Sequence, residues 1–277
     1  MTFGRLAGVA LSAALAVTLA ASPAVARKLP KPAHIIIVME ENHSYADIIG
    51  NAQAPYINAL AQSGALFTDS HAVTHPSQPN YLELFSGSTQ GVHDDSCPHS
   101  FAGDNEASQL IGAGKSFVGY SEGLPGEGSL VCTAGKYARK HAPWTNFTNL
   151  PATTNEPWTA FPKKLKQLPT VSWVIPNLDD DMHDGTVAQG DTWLKNNLTA
   201  YATWAMTHNS LLIVTWDEDD GSQNNQIPTI FVGPMVKQGQ YSEHITHDNI
   251  LATIEAMYGL APLGNAATAK VIKDVWQ

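Results

Sequence analysis

The chain has 277 residues, 43% of them hydrophobic and only 14% charged, and its formal net charge is −10. That length accommodates one large α/β domain with a well-buried core. The acidic balance, without any Lys/Arg cluster, excludes the basic footprint of a nucleic-acid binder, and the eleven histidines point to chemistry concentrated in one place.

The first 26 residues carry Arg5, an apolar run and then Ala24-Val25-Ala26, the three-part form of a secretory leader with cleavage after Ala26. A membrane anchor is the alternative, but the run is short. No second long apolar run follows, so a secreted or periplasmic protein with no stable membrane anchor is expected. Cleavage leaves residues 27–277 as a single domain with a net charge of about −11 once Arg5 is lost.

Short apolar runs rich in β-branched or aromatic residues then recur at 34–39, 65–69, 116–120, 170–175, 211–216 and 228–233. Between them, "APYINALAQSG", "DTWLKNNLTAYATWAM" and "HDNILATIEAMYGL" have helical spacing. Strands apolar on both faces that alternate with helices predict a central, mostly parallel sheet covered by helices on both faces. The stretches 121–128 and 149–157 read as surface loops within one domain. Cys97 and Cys132 are an even pair in an exported chain, which favours a disulfide over a metal site; two buried thiols are the alternative.

Open α/β sheets carry their sites at the carboxyl ends of strands, and three strands here end in acids, amides or imidazoles. The first is followed by Glu40, Glu41, Asn42 and His43, the fourth by Asn177, Asp179, Asp180, Asp181 and His183, and the fifth by Asp217, Glu218, Asp219 and Asp220. Glu41 and Asn42 offer oxygen donors for a divalent cation, or they belong to a helix start that Asn42 or Ser44 caps. Consecutive acids from Asp217 require a cation or solvent to screen them; Asp217 and Glu218 are assigned to the metal, Asp219 and Asp220 to a solvated loop. Asp179 and His183, four residues apart, can share a metal or pair with each other if helical. Lys140 and His141 suit an anionic substrate, and equally an ordinary surface loop. Of His244 and His247, at the start of the last helix, His247 is preferred as a neutral ligand or phosphate donor.

In "THPSQPNYLELFSG" Ser77 stands between Pro76 and Pro79 ahead of a helical pattern. The serine is either an N-cap or a nucleophile presented at a helix start. G-x-S-x-G is absent, so the activator would be a metal ion that binds the alkoxide.

Taken together, "EENHSYADIIG", "THPSQPNYLELFSGS", "YARKHAPW", "NLDDDMHDG", "GDTWL", "VTWDEDDG", "IPTIFVGP" and "THDNILATIEAMYGL" resemble, in order, the phosphoesterase family. That family holds acid phosphatases and non-haemolytic phospholipases C within the alkaline phosphatase superfamily, and the likeness runs from about His34 to about Leu260. The resemblance implies an alkaline-phosphatase-like fold, with one divalent metal ion held by Glu41, Asn42, Asp217 and Glu218. It makes Ser77 the nucleophile and metal contact, His141 and His183 phosphate contacts, and His247 the histidine that opens the C-terminal helix. A second metal ion, where members have one, would use Asp179, His183 and His247. His75 and Lys140 are assigned to substrate binding. Position 218 is Glu where the acid phosphatases look more like a second Asp, and the chain is short beside the phospholipases C. The expected activity is hydrolysis of a small phosphorylated substrate, a monoester, through a phosphoserine. Phospholipase C action is the alternative, and a non-catalytic calcium-stabilised protein the third reading.

Overall fold

The central strand of the protein is His34–Glu40, whose six residues after His34 are all buried. The computed structural model describes residues 1–4 and 29–277, so the expected leader lies, from residue 5 onward, outside the described residues. In chain order the strands are β1 (His34–Glu40), β2 (Ala65–Phe67), β3 (Ser70–His71), β4 (Phe117–Ser121), β5 (Thr133–Ala134), β6 (Tyr137–Ala138), β7 (Asn155–Pro157), β8 (Val171–Ile175), β9 (Ser210–Trp216), β10 (Thr229–Val232), β11 (Gly239–Tyr241) and β12 (Ile245–Thr246). The helices are α1 (Tyr45–Ile48), α2 (Pro55–Ser63), α3 (Ser77–Ser86), α4 (Glu106–Gly112), α5 (Val187–Ala205) and α6 (His247–Tyr258).

Eight strands form one sheet in the order β11-β2-β10-β9-β1-β8-β4-β7. β10 runs antiparallel to both of its neighbours, and the other pairings are parallel. The alternation of side chains along β1 divides the core in two. Ile35, Ile37 and Met39 pack with Phe85 of α3, Leu110 of α4 and Leu251 of α6. Ile36 and Val38 pack on the other face with Leu60 of α2 and Leu194 and Leu198 of α5. Both faces are covered, which is why the strands read as unbroken apolar runs. No helix among the described residues is long and apolar enough to cross a membrane.

Every residue of α3 is buried. The helix ends at Gly87, whose φ of 65° is left-handed; a Cβ there would collide with the Leu263 carbonyl, so a larger residue would push α3 away from the C-terminal segment. Cys97 and Cys132 are joined in a disulfide, their Cα atoms 5.9 Å apart. The stretch expected to be loop at 149–157 ends in the edge strand β7. Its residues Asn-Glu-Pro carry no strand signature. Parallel pairing to β4 recruits them, and so does the Trp144 indole, which donates to Asn155 Oδ1 at 2.9 Å.

Three acids lie within or against the layer that α6 shares with α4. Burial pushes Glu106 up to about 8 even though Trp173 Nε1 donates to it at 2.7 Å. Burial also raises Asp248 to about 8 and Glu255 to about 7. In the unfolded chain such glutamates ionise near 4.5, so between about 4.5 and about 8 the folded state binds more protons than the unfolded one. Stability contributed by these groups is therefore complete at the acid end and declines as pH rises through that window. The melting temperature should fall by several degrees from the acid to the alkaline side, and Glu106→Gln should flatten the decline. Thermal unfolding followed by circular dichroism across the window checks both; an unchanged slope in the variant would remove Glu106 from the account.

Candidate active site

β9, β1 and β8 are neighbours in the sheet and run parallel, so the three acid-bearing strand ends emerge side by side. Alternation separates the two adjacent glutamates that follow Met39. Glu40 is sealed away with both carboxylate oxygens unpartnered, and burial raises its pKa. Glu41 turns into the site. Its N–H donates to the Asp181 carbonyl at 2.8 Å, which ties β1 to the loop after β8. Asn42 adopts φ 54°, a left-handed turn that asparagine tolerates. The turn aims its backbone N–H at Asp217 Oδ1, at 3.0 Å, while its side-chain amide donates to Glu41 Oε2 at 3.1 Å.

Ser77 is the first residue of α3, and the capping position is Pro76. The serine hydroxyl is therefore not consumed as a cap. It donates to Glu41 Oε2 at 3.0 Å and lies 3.4 Å from Glu218 Oε1. Asn80 fixes the turn before it: its Oδ1 accepts from the N–H groups of Val73 and Thr74, and its amide donates to the carbonyls of Thr74 and Pro76. Tyr81, one helical turn beyond Ser77, donates its hydroxyl to Glu41 Oε1 at 2.6 Å.

This arrangement concentrates negative charge around one alcohol. Burial, then the charges of Glu41 and Glu218, push Asp217 well above the usual carboxylate range. Burial, then Glu41 and Asp95, take Glu218 up to about 8. Glu41 goes the other way: burial opposes its ionisation, but His141 and the Tyr81 hydroxyl outweigh it and bring it to about 2. Asp217 Oδ2 is buried and has no partner. An unpartnered carboxylate oxygen beside two further carboxylates, an amide and a hydroxyl is a donor set for a hard or borderline divalent cation, so the residues fit the metal ion that the resemblance implies.

The opposite flank is cationic. His141, buried and stacked on Tyr81 at 5.0 Å, has Nε2 2.9 Å from Glu41 Oε1 and Nδ1 3.2 Å from Asp181 Oδ2. Burial pulls its pKa down, but the two carboxylates raise it to about 9. Lys140 Nζ donates to Asp95 Oδ2 at 2.7 Å and lies 3.3 Å from His183 Nε2. His183 sits 3.0 Å from Asp184 through Nδ1. Donor atoms of Glu41, His141 and His183 lie within 4.8 Å of one another, a second possible metal-binding group at the same site.

The structure thus gathers Glu41, Asn42, Ser77, Asp217 and Glu218, with His141, Lys140 and His183 beside them. Of the other expected residues, Asp179 lies apart, whereas His247 and His75 border the acidic run. Asp179 pairs with Lys136 Nζ at the surface, at 2.6 Å, and the carboxylate that enters the site from that run is Asp181, buried and held by the His183 N–H at 2.9 Å. His247 is fully buried, its Nε2 donating to the Asp217 carbonyl at 2.9 Å; burial lowers its pKa to about 4, which keeps it neutral. His75, 46% exposed, contacts Glu218 through Nδ1 at 2.8 Å and Asp219 through Nε2 at 3.3 Å. Asp219 was expected in solvent but is buried, because the N–H groups of Gly221, Gln223 and Asn225 converge on its carboxylate. Sequence reasoning assigned no role to Tyr81 or Asp95 and named Asp181 only as one acid of a run; the four-residue spacing from Ser77 was the available signal for Tyr81.

A profile of the Phosphoesterase family matches residues 51–261. A phosphatidylinositol-3-phosphatase of Mycobacterium tuberculosis is 54% identical over 275 residues, spanning 97% of this chain and 92% of that protein. An acid phosphatase of Aspergillus fumigatus is 29% identical over 247 residues, 81% of this chain but 54% of that protein. Among solved structures, a protein of the alkaline phosphatase superfamily from Vibrio parahaemolyticus has a TM-score of 0.60 at 13% identity, covering 91% of this chain and 75% of that one. The phosphonate monoester hydrolase of Agrobacterium radiobacter has a TM-score of 0.53 at 14% identity, covering 89% and 79%. These structural likenesses show the fold, that of the alkaline phosphatase superfamily.

Asp217 ionises at a cost in the absence of a cation, since its folded pKa is raised, so its burden on stability grows as pH rises. In chelator-treated protein at mildly alkaline pH, Asp217→Asn should raise the melting temperature. If added divalent metal stabilises the native chain, the variant should lose the share of that stabilisation that this site contributes. Calorimetry with and without metal distinguishes these outcomes; equal metal-induced shifts in both proteins would separate Asp217 from the cation.

Proposed function

Because the chain belongs to the phosphoesterase family, we propose that it removes phosphate from monoesters by a metal-dependent route in which Ser77 is the nucleophile. The chain is a phosphoric ester hydrolase. One observation carries the finer assignment: the Ser77 hydroxyl lies 3.0 Å from Glu41 Oε2 and 3.4 Å from Glu218 Oε1, with Lys140 and His183 adjacent to each other on the cationic side.

Glu41, Asn42, Asp217 and Glu218 would hold the cation. Bound there, it would lower the serine pKa and polarise a phosphoryl oxygen. Lys140 and His183 are the flank residues with some exposure, at 17% and 28%. They bind the non-bridging phosphate oxygens, and His183 is placed to pass a proton to the departing alkoxide. His141, as buried as Ser77 itself, lies against Glu41 from one side while the Tyr81 hydroxyl does so from the other. Attack of Ser77 Oγ on phosphorus breaks the bond to the leaving oxygen and leaves a phosphoserine, which water then hydrolyses to inorganic phosphate.

The relative from Mycobacterium tuberculosis is named for phosphatidylinositol 3-phosphate, and we take a phosphoinositide monoester as the candidate substrate of this chain. Export to a secreted or periplasmic location agrees with the Cys97–Cys132 disulfide, which belongs to oxidising compartments.

Ser77→Ala should reduce hydrolysis of an aryl phosphate by on the order of a thousandfold or more and leave the fold unchanged by near-ultraviolet circular dichroism. Residual turnover close to the native rate would end the serine assignment. Rates on phosphatidylinositol 3-phosphate, an aryl phosphate and phosphatidylcholine separate monoester from phospholipase action, and faster cleavage of the diester would reverse the preference proposed.

A further inference from the structure

Beside His75 the rim carries a second set of ligating side chains that the mechanism above does not use. Asp69 precedes β3, His71 ends it, and His244 precedes β12. Backbone pairing holds these segments together: β3 and β12 run parallel with Ser70 opposite Ile245, and the Ile245 N–H donates to the Asp69 carbonyl at 3.0 Å. One donor atom from each of Asp69, His71 and His244 lies within 4.8 Å of the other two.

The hydrogen bonds of His71 require something positive at this place. Its Nδ1 is 3.0 Å from the Asn224 carbonyl, which can only accept, so Nδ1 carries a proton. Its Nε2 is 2.9 Å from Asp69 Oδ1. A neutral ring would set a nitrogen lone pair against a carboxylate oxygen, two acceptors with no donor between them. A metal ion seated between the two resolves the clash. The bond from Nδ1–H to a backbone carbonyl is the outer contact that orients metal-ligating histidines. His244 Nδ1 approaches the other carboxylate oxygen of Asp69 at 3.2 Å.

We propose that Asp69, His71 and His244 form a binding site for a borderline divalent cation of the zinc type, separate from the Ser77 centre. Two imidazoles and one carboxylate are a donor set that such ions favour, with a fourth position left for water. His244 is 63% exposed, and the group opens on a cavity of about 550 Å³ that His75 and Asp219 also line. A cation there fastens β3, which leads into the Ser77 turn, to the segment entering α6, whose first residue donates to the Asp217 carbonyl. The site is thus a clasp on the two segments that approach the reaction centre, without a ligand in common with it.

The test uses the full chain, stripped with chelator and titrated with zinc and with cobalt, in four forms: native, Asp217→Asn, His71→Ala/His244→Ala and His244→Ala. The Asp217→Asn chain should still bind an ion, with the visible bands of low-symmetry cobalt and a zinc-induced rise in melting temperature. The double variant should bind one ion fewer per chain than the native protein and keep its turnover of aryl phosphate. His244→Ala changes an exposed side chain, so it reports even if the double variant fails to fold, and it should lose the same ion. Metal content equal to native in the folded variants overturns the proposal, and the contact is then a protonated histidine pair only. Failure of the serine mechanism would appear instead in Ser77→Ala turnover, with this metal count unaffected.

Discussion

Three carboxylates converge on one serine hydroxyl at the sealed end of a parallel sheet, and the rest of the site is organised around the repulsion that this creates. Glu41 and Asp217 are inaccessible to solvent and Glu218 nearly so. Water cannot screen them there, so positive charge must come from the protein or from a cation. The protein supplies part of it through His141, which lies against both Glu41 and Asp181, and through Lys140 with its partner Asp95. The remainder is uncompensated around Asp217 and Glu218, on the side where the serine oxygen stands. A phosphate ester has matching needs: a positive centre for its leaving and attacking oxygens and donors for the others.

The sheet makes this concentration possible because β9, β1 and β8 are adjacent and share a direction. That part of the architecture was legible in the chain, since strands covered on both faces leave long apolar runs and the acids begin where the runs stop. Ser77 was legible too, as a hydroxyl at a proline-flanked turn before a helix. What could not be read was which member of an acidic run turns inward. In Asp179-Asp180-Asp181 the answer depends on a tight turn in which the His183 N–H captures Asp181 and Lys136 draws Asp179 outward. In Asp217 to Asp220 it depends on backbone N–H groups from a loop that folds back over Asp219. Neither turn has a composition that announces its geometry.

The polar partners of aromatic and histidine side chains are hidden from the sequence for a related reason. Tyr81 has the look of a core residue and is one, but its single polar atom sits on Glu41. His247 stands at the helix start that its pattern predicts, and its Nε2 donates to a peptide carbonyl. Period and spacing place a side chain on a face; the partner of its polar tip depends on elements far away in the chain. Such contacts span 40 residues for Tyr81 and 30 for His247.

The left-handed turn at Asn42 joins two requirements in one residue. The backbone conformation admits glycine, asparagine and aspartate most readily, while the uncharged side-chain amide of Asn42 restrains Glu41. Glycine would preserve the bend and forfeit the amide. Aspartate would preserve the bend and add another anion to a place already crowded with them. Leucine or valine would fail on both counts. Substitution at this position is thus confined almost to a single side chain, by sterics and by charge acting independently.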